Sequence, residues 1–531
     1  MNATQRVFFT AAIVSLGGFV FGYDASVISG VVGFVTGEFG LNEWQQGFVV
    51  SAPTLGALLA ATVAGVAADR IGRRKVLQII AFLYLLSAIG SALAPSYAML
   101  VAARFIGGLA FASLMIAPMY IAEISPAALR GKMVSINQLN IMLGFSASYF
   151  ANYLLLQASG WQASWVTNLG LDTAVWRWML GLEILPAGAY FILLHFVPES
   201  PRWLVVAGRA REAEAVLLRV MPEDEVAAHV QAVQSSAAEH RPGLGAHLRE
   251  LFSPKLRFAL TIGVIVGVAQ QITGINAIYF YAPSIFEQSG VGTDAAFAQA
   301  ICVGLINVVF TLIAMALIDK LGRKPLLIGG LTGICVSMAL CAYGFSSATY
   351  LLEADTLPAL PIAAGSLDAL VGLRFDSDVA FKAALAEALG ADVARAHQAA
   401  LLQAAIDMNP WLVLFGILGF VASFAVSLGP VMWVLFAEIF PNHIRGLAIS
   451  LVGAINSLVS FAVQFLFPWE LAHLGAALTF GIYGVFALIG VLLVAWILPE
   501  TKGKSLEELE KELTGDTVER DGADTNQAVP A

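Results

Sequence analysis

The chain has 531 residues, of which 59% are hydrophobic and only 12% charged, and its mean hydropathy is +0.80. That balance excludes a soluble globular protein and leaves a multispanning membrane protein. The formal net charge of −9 is spread over loops and tails and names no partner, nucleic acid included; the three cysteines, Cys302, Cys335 and Cys341, all fall inside apolar runs, which excludes a disulfide framework or a spaced cysteine metal site.

Apolar runs long enough to cross a bilayer, about twenty residues each, recur twelve times, centred near Val20, Leu55, Leu85, Gly108, Phe145, Ala187, Val268, Val308, Ile334, Gly419, Ser457 and Phe486. Arg6 precedes the first run and no small-residue cleavage site follows it, so it reads as an uncleaved span rather than a signal peptide. Lysines and arginines set the orientation. Arg70, Arg73, Arg74 and Lys75 follow the second span, Arg130 and Lys132 the fourth, Arg202, Arg209 and Arg211 the sixth, Lys320, Arg323 and Lys324 the eighth, and Arg445 the tenth. The short odd loops, Ala94 to Tyr97 and Ser289 to Asp294, carry neither residue. Both termini are therefore expected in the cytoplasm.

Two charges lie within the apolar runs, where they are expensive and functional by default. Asp24 sits about sixteen residues, or roughly 24 Å, into an outward-running first span, and Arg104 about six residues, or roughly 9 Å, from the outer end of an inward-running fourth. In a core of about 30 Å the two share a depth and can pair. An acid that releases its arginine on protonation is a proton switch, whereas a permanent pair is structural, and the two residues alone leave both readings open.

The chain repeats itself. Asp69-Arg70-Ile71-Gly72-Arg73-Arg74-Lys75 recurs as Asp319-Lys320-Leu321-Gly322-Arg323-Lys324, and Glu123-Ile124-Ser125-Pro126 with Arg130-Gly131 recurs as Glu438-Ile439-Phe440-Pro441 with Arg445-Gly446. A third echo closes each half, Pro198-Glu199-Ser200-Pro201 and Pro499-Glu500-Thr501-Lys502. Two six-span copies facing the same way give the major facilitator architecture, an all-α membrane protein of twelve transmembrane helices in two six-helix bundles. The boundaries read as 1–198 for the first bundle, 199–256 for a cytoplasmic helical linker, 257–498 for the second bundle, and 499–531 for a C-terminal helix and disordered tail. In that tail Ser505 and Glu508 form a capping box. Arg73, Arg74, Glu123, Arg130, Arg323, Glu438 and Arg445 are expected to form a latch that holds the halves closed at the cytoplasmic face.

The repeats differ in one place. Asp69 to Glu123 spans 54 residues and Asp319 to Glu438 spans 119, so about 65 residues are inserted after the ninth span. The insert, 347–409, begins with Pro358 and Pro361 and continues as alanine-rich helical sequence from Ser377 to Asp407. It is expected on the outer face as a small helical cap without chemistry of its own.

The seventh span holds an unusual knot, Gln270-Gln271-Ile272-Thr273-Gly274-Ile275-Asn276 followed by Tyr279, Phe280 and Tyr281. A straight helix turns about 100° per residue, so the three amides would point to different sides. Gly274 allows the helix to unwind, as transporter helices do where they line a cavity. Amides donate and accept, which suits a ligand made of hydroxyls. The bland alternative is interhelical glue.

This string, with Ala282-Pro283 after it, resembles the seventh span of the sugar porter branch of the major facilitator superfamily, and the bacterial proton-coupled monosaccharide symporters of the xylose and glucose type in particular. Phe21-Gly22-Tyr23-Asp24 resembles the first span of the proton-coupled members, and Arg104 in Ala103-Arg104-Phe105-Ile106-Gly107-Gly108 matches the family's fourth-span arginine. The resemblance implies proton coupling through Asp24 and Arg104. It implies sugar contacts from Gln138, Gln270, Gln271, Asn276, Asn307, Trp433 and Asn456, with Gly274, Gly429 and Pro430 as hinges. A tryptophan frequent in relatives after the Asn456 position is Ser457 here. The expected protein is a monosaccharide importer driven by the proton gradient, with no cofactor or metal, monomeric in the bacterial cytoplasmic membrane. A passive facilitator is the main rival, disfavoured by Asp24. A drug exporter would need a more apolar pocket, a sensor a longer tail, and an enzyme a nucleophile with its base.

Overall fold

The computed structural model describes residues 3–126, 129–221, 223–238, 249–254, 256–360, 362, 365–441 and 444–502. The tail beyond 502, with its predicted capping box at Ser505 and Glu508, lies outside the described residues. Among the described residues twelve helices are long and apolar enough to cross a membrane. Spans 1 to 6 are Thr4–Phe39, Glu43–Ile71, Arg73–Ala92, Tyr97–Ile124, Arg130–Ser159 and Val175–Phe196. Spans 7 to 12 are Arg257–Glu287, Thr293–Ile318, Arg323–Ser346, Pro410–Ile439, Arg445–His473 and Gly475–Ile497. Every predicted centre falls inside its helix, because length and hydropathy decide a span without help from tertiary packing.

Several spans are broken, and the breaks carry the chemistry. Span 4 divides at Phe111 and Ala112, and span 6 at Leu182 and Glu183, between the Val175–Gly181 and Ile184–Leu193 helices. Span 7 divides at Gly274, whose φ of 94° and ψ of 15° separate the Arg257–Ile272 and Ile275–Glu287 helices. Span 10 divides at Ser427, with φ −126° and ψ −95°. The expected hinge pair Gly429 and Pro430 lies just past that break, in the first turn of the Leu428–Ile439 helix. A proline there lacks only an N–H that the helix start would leave unpaired in any case.

Within the first half, spans 1 and 5 cross closely enough that a Cβ on Gly22 would strike the Ile141 carbonyl, and one on Gly144 the Phe19 carbonyl. The two halves meet on the side away from the basic loops. There Gly47 of span 2 lies against the Phe465 carbonyl of span 11. Thr54 donates to Gln464 Oε1 at 3.1 Å, and the Tyr149 hydroxyl donates to the Tyr279 carbonyl at 2.6 Å.

On the basic-loop side the ion pairs among the described residues join the predicted latch residues inside each half. Arg73 grips Glu123 through Nε at 3.0 Å and Nη2 at 3.1 Å, and Ser200 also donates to Glu123 at 2.5 Å. The second half repeats the device: Arg323 reaches Glu438 at 2.6 Å and Thr501 donates to Glu438 at 2.7 Å. Glu199 and Glu500 accept the backbone N–H groups that open spans 3 and 9, at Arg74 and at Arg323 and Lys324 respectively. Arg74 donates to the His195 carbonyl, Arg130 to the Ala122 carbonyl and Arg445 to the Phe440 carbonyl. The matched glutamates thus staple the end of each bundle to its own basic loop.

The linker holds helices Pro201–Val206, Ala210–Leu217 and Glu223–Ala238. Among its described residues the insert contains three α-helices, Asp378–Leu389, Ala391–Ala396 and Gln398–Ala405. It also contains a sheet that the sequence does not announce: β1 (Thr349–Leu351), β2 (Arg374–Phe375) and β3 (Ile406–Asp407), antiparallel in the order β2-β1-β3. Thr349 pairs with Asp407, so the ends of the insert are tied together where it leaves span 9 and rejoins span 10. A long insertion closed at its base disturbs its neighbours little. Tyr350, Phe381, Leu385, Leu401 and Leu402 form the insert's own core, with Tyr350 stacked on Phe381 at 5.4 Å.

Candidate functional site: an amide network and a buried charge cluster

The break at Gly274 does what a straight helix cannot: it turns Gln271 and Asn276 toward each other. Asn276 Nδ2 donates to Gln271 Oε1 at 2.9 Å and to Ser460 Oγ at 2.6 Å. Gln271 Nε2 donates to Asn456 Oδ1 and to Gln270 Oε1, each at 3.2 Å. Asn456 Nδ2 returns a bond to Gln270 Oε1 at 2.7 Å and another to the Gly267 carbonyl at 2.8 Å. Gln270 Nε2 donates to the Leu428 carbonyl at 3.1 Å, tying the network to the break in span 10.

Two members were not foreseen, Ser460 and Gln464. Gln464 donates to Ser460 at 2.7 Å, and its own oxygen takes the bond from Thr54 in the other half. The signal was present in span 11. Asn456, Ser460 and Gln464 stand four residues apart, which places them on one helix face in an otherwise apolar run.

The remaining predicted contacts stand apart from this network. Asn307 is buried and donates to Met142 Sδ across the halves at 3.0 Å. Gln138 is exposed, one turn nearer the basic loops than Met142 on span 5. Trp433 is 48% exposed and packs edge-on to Phe436 at 5.9 Å.

In the first half the structure brings Asp24 and Arg104 together, each 1% exposed. Arg104 Nη1 bonds both the Asp24 carboxylate and, at 3.1 Å, the Asp24 carbonyl. Gly107 leaves the room: a Cβ there would lie 2.8 Å from Asp24 Oδ2.

A third charged group shares this pocket. Glu183, 1% exposed at the break in span 6, places its carboxyl within hydrogen-bonding reach of Asp24. Among the described residues Asp24 Oδ2 and Glu183 Oε1 accept no other bond, so a single proton between the two carboxyls would satisfy both. Glu183 is an acid in the apolar string Met179-Leu180-Gly181-Leu182-Glu183-Ile184, and the rule that singled out Asp24 applies to it equally.

A family model described as "Sugar (and other) transporter" matches residues 10–367 and 386–513. The chain belongs to the sugar porter family. The stretch the match leaves out, 368–385, lies within the cap. Among curated relatives, the arabinose-proton symporter of Bacillus subtilis (strain 168) is 36% identical, with 95% of this chain and 94% of that protein covered. The D-xylose-proton symporter of Escherichia coli (strain K12) is 34% identical, with 96% of each covered. Among solved structures, the inward open conformation of the xylose transporter XylE from E. coli aligns with a TM-score of 0.72 and 30% identity, covering 95% of this chain and 99% of that one. The XylE structure bound to 6-bromo-6-deoxy-D-glucose aligns with a TM-score of 0.66 and 33% identity, covering 96% and 100%. This sugar porter has the major facilitator fold and is an integral membrane transport protein, not an enzyme.

Proposed function

We propose that this protein imports a monosaccharide together with protons by alternating access. Both termini and the basic loops lie in the cytoplasm, and the membrane is the bacterial cytoplasmic one. The working units are bundles 1–198 and 257–498 joined by the linker 199–256, followed by the tail 499–531, and the protein works as a monomer without a cofactor. One observation carries the reading. One half carries a buried acid-arginine cluster and the other a neutral, hydroxyl-matching amide network.

The chemistry divides accordingly. In the network each amide bonds its neighbour, and a hydroxyl that both donates and accepts can replace such bonds one for one. Gln271, Asn276 and Asn456 therefore receive the sugar, with Gln270 orienting them and Gln138, Asn307 and Trp433 completing the contacts as the halves rock. In the cluster two carboxylates lie together away from water, and one of them, Asp24, is paired with the Arg104 guanidinium. With both ionised the group carries one excess negative charge, and a single bound proton makes it neutral. Neutralising the group removes a charge that the membrane interior penalises, so protonation and reorientation are coupled. The names of the arabinose-proton and D-xylose-proton symporters support the same assignment. Hexose and pentose remain the two substrate classes.

The decisive test is uptake into proteoliposomes with an imposed pH gradient, using glucose, galactose, xylose and arabinose. At least one sugar should concentrate on the alkaline side and leak back when a protonophore is added. Simple equilibration of every sugar would replace this reading with a passive facilitator. Two variants probe the parts separately. Gln271→Ala should weaken sugar affinity at least tenfold by calorimetry, since it removes bonds to three partners at roughly 0.5–1.5 kcal/mol each; unchanged affinity would remove Gln271 from the site. Glu183→Gln should lower accumulation severalfold while leaving sugar affinity within about twofold of wild type. Full accumulation in that variant would make Glu183 a packing residue.

A further inference from the structure

The cap is fixed to one half of the molecule and meets the other where its Ala391–Ala396 helix lies against span 1 and pairs a charge with span 2. On the second half, β1 and β3 continue directly from spans 9 and 10. The Asp378 carboxylate accepts the Ala476 N–H at 3.4 Å at the start of span 12. Lys382 bonds Asp378 at 2.9 Å and the Leu471 carbonyl of span 11 at 3.5 Å. Ile406 and Gln403 lie over Gly290 and Gly292 in the turn between spans 7 and 8. The cap must therefore move with spans 7 to 12.

On the first half the contact is different. Arg395 of the Ala391–Ala396 helix pairs with Glu43 at 3.5 Å, and both side chains are 27% exposed. Glu43 is held firmly, because it opens span 2 inside a capping box in which Asn42 accepts the Gln45 N–H at 2.9 Å and Gln45 accepts the Asn42 N–H at 3.1 Å. Beneath this pair lies a cavity of about 510 Å³ bordered by Gly33 and Gln46 of the first half, Glu287 and His473 of the second, and Lys382 and Arg395 of the cap.

We propose that the insert is a lid over this outer vestibule, and that Arg395 and Glu43 are its clasp. The proposal rests on the alternating-access reading but not on the identity of the sugar or on the proton. For the vestibule to open, span 2 must leave spans 7 to 12 and the cap that travels with them, so the Arg395–Glu43 pair must break at each outward turn. The clasp therefore biases the protein toward the state closed on the capped side. A partly exposed, solvent-screened pair is weak, which suits a gate that must open on every cycle.

The test is a spin-label distance measurement on the full chain in nanodiscs, with its three cysteines replaced. One label pair is placed at exposed Glu387 of the cap and Asn168 of the first half; a second is placed at exposed Lys132 and Ser450 on the basic-loop side. In wild type both pairs should show two distances in exchange. Arg395→Gln should enrich the longer cap-side distance up to about fivefold and the shorter basic-side distance in step. Arg395→Glu should do the same, and the exchange Arg395→Glu with Glu43→Arg should restore the wild-type balance. Two distances in wild type that Arg395→Gln leaves unmoved, or a charge exchange that restores nothing, would overturn the clasp alone. A single fixed distance at both faces under all conditions would overturn alternating access and the clasp together. Arg395→Gln changes one surface side chain, so the comparison does not depend on a variant that fails to fold.

Discussion

Gly274→Ala is expected to lower sugar affinity by at least tenfold and to depress the melting temperature of the purified protein. Two costs add at this position. A φ of 94° is one that an L-residue adopts at a cost of about 1–2 kcal/mol. A Cβ would also sit 2.5 Å from Tyr483 Cδ2 and 2.7 Å from Cε2, an overlap that core-packing experience puts at about 1–3 kcal/mol. Tyr483 has little freedom to yield. Its ring is 2% exposed and stacks on Phe467, and its hydroxyl donates to Glu470 at 2.7 Å. The cheaper response is for the break to straighten, which rotates Asn276 away from Gln271 by about 100° for each residue rewound into helix. Calorimetry with the transported sugar and thermal unfolding should move together. An alanine variant that binds with wild-type affinity would show that the amides do not depend on this break. Adding Tyr483→Ala to Gly274→Ala should recover part of the stability, because it removes the overlap and leaves only the backbone cost.

What the sequence disclosed follows from what each signal depends on. Spans, the repeat, and the meeting of Asp24 with Arg104 rest on length, hydropathy and depth, which a bilayer imposes before any packing is known. Glu183 obeys the same depth rule, and its presence beside Asp24 is the main chemistry that the sequence reading passed over. The direction of the ion pairs at the basic-loop ends was not legible, because Glu123 has arginines of both halves as candidates and only geometry chooses Arg73. Span 10 shows a similar limit. Gly429-Pro430 marks the start of a helix segment, and the break itself falls two residues earlier, at a serine with no compositional signature. The cap's sheet was invisible for another reason: β2 and β3 are two residues each, too short for alternation to register, and they exist because β1 supplies a partner on both sides.

Asp24→Asn should abolish accumulation while sparing sugar binding, and it separates a proton switch from a structural pair more sharply than any other change. Asparagine keeps the size of the side chain and can still accept a bond from Arg104. What it cannot do is gain and lose a proton. On the proposed proton role, the wild-type cluster alternates between one excess negative charge and neutrality as a proton enters and leaves. In the variant Glu183 and Arg104 balance each other permanently, so the first half behaves as though always protonated. Sugar exchange down its own gradient should persist, because the amide network is on spans 7 and 11 and none of its bonds reaches Asp24. Uphill uptake driven by a pH gradient should fall to background. Three measurements on proteoliposomes decide the matter: calorimetric affinity within about threefold of wild type, retained counterflow, and no concentration of sugar on the alkaline side. A variant that concentrates sugar as well as wild type would show the Asp24–Arg104 pair to be structural. Loss of binding along with accumulation would show instead that the cluster shapes the sugar site, and the separation of proton and sugar into opposite halves would then be wrong.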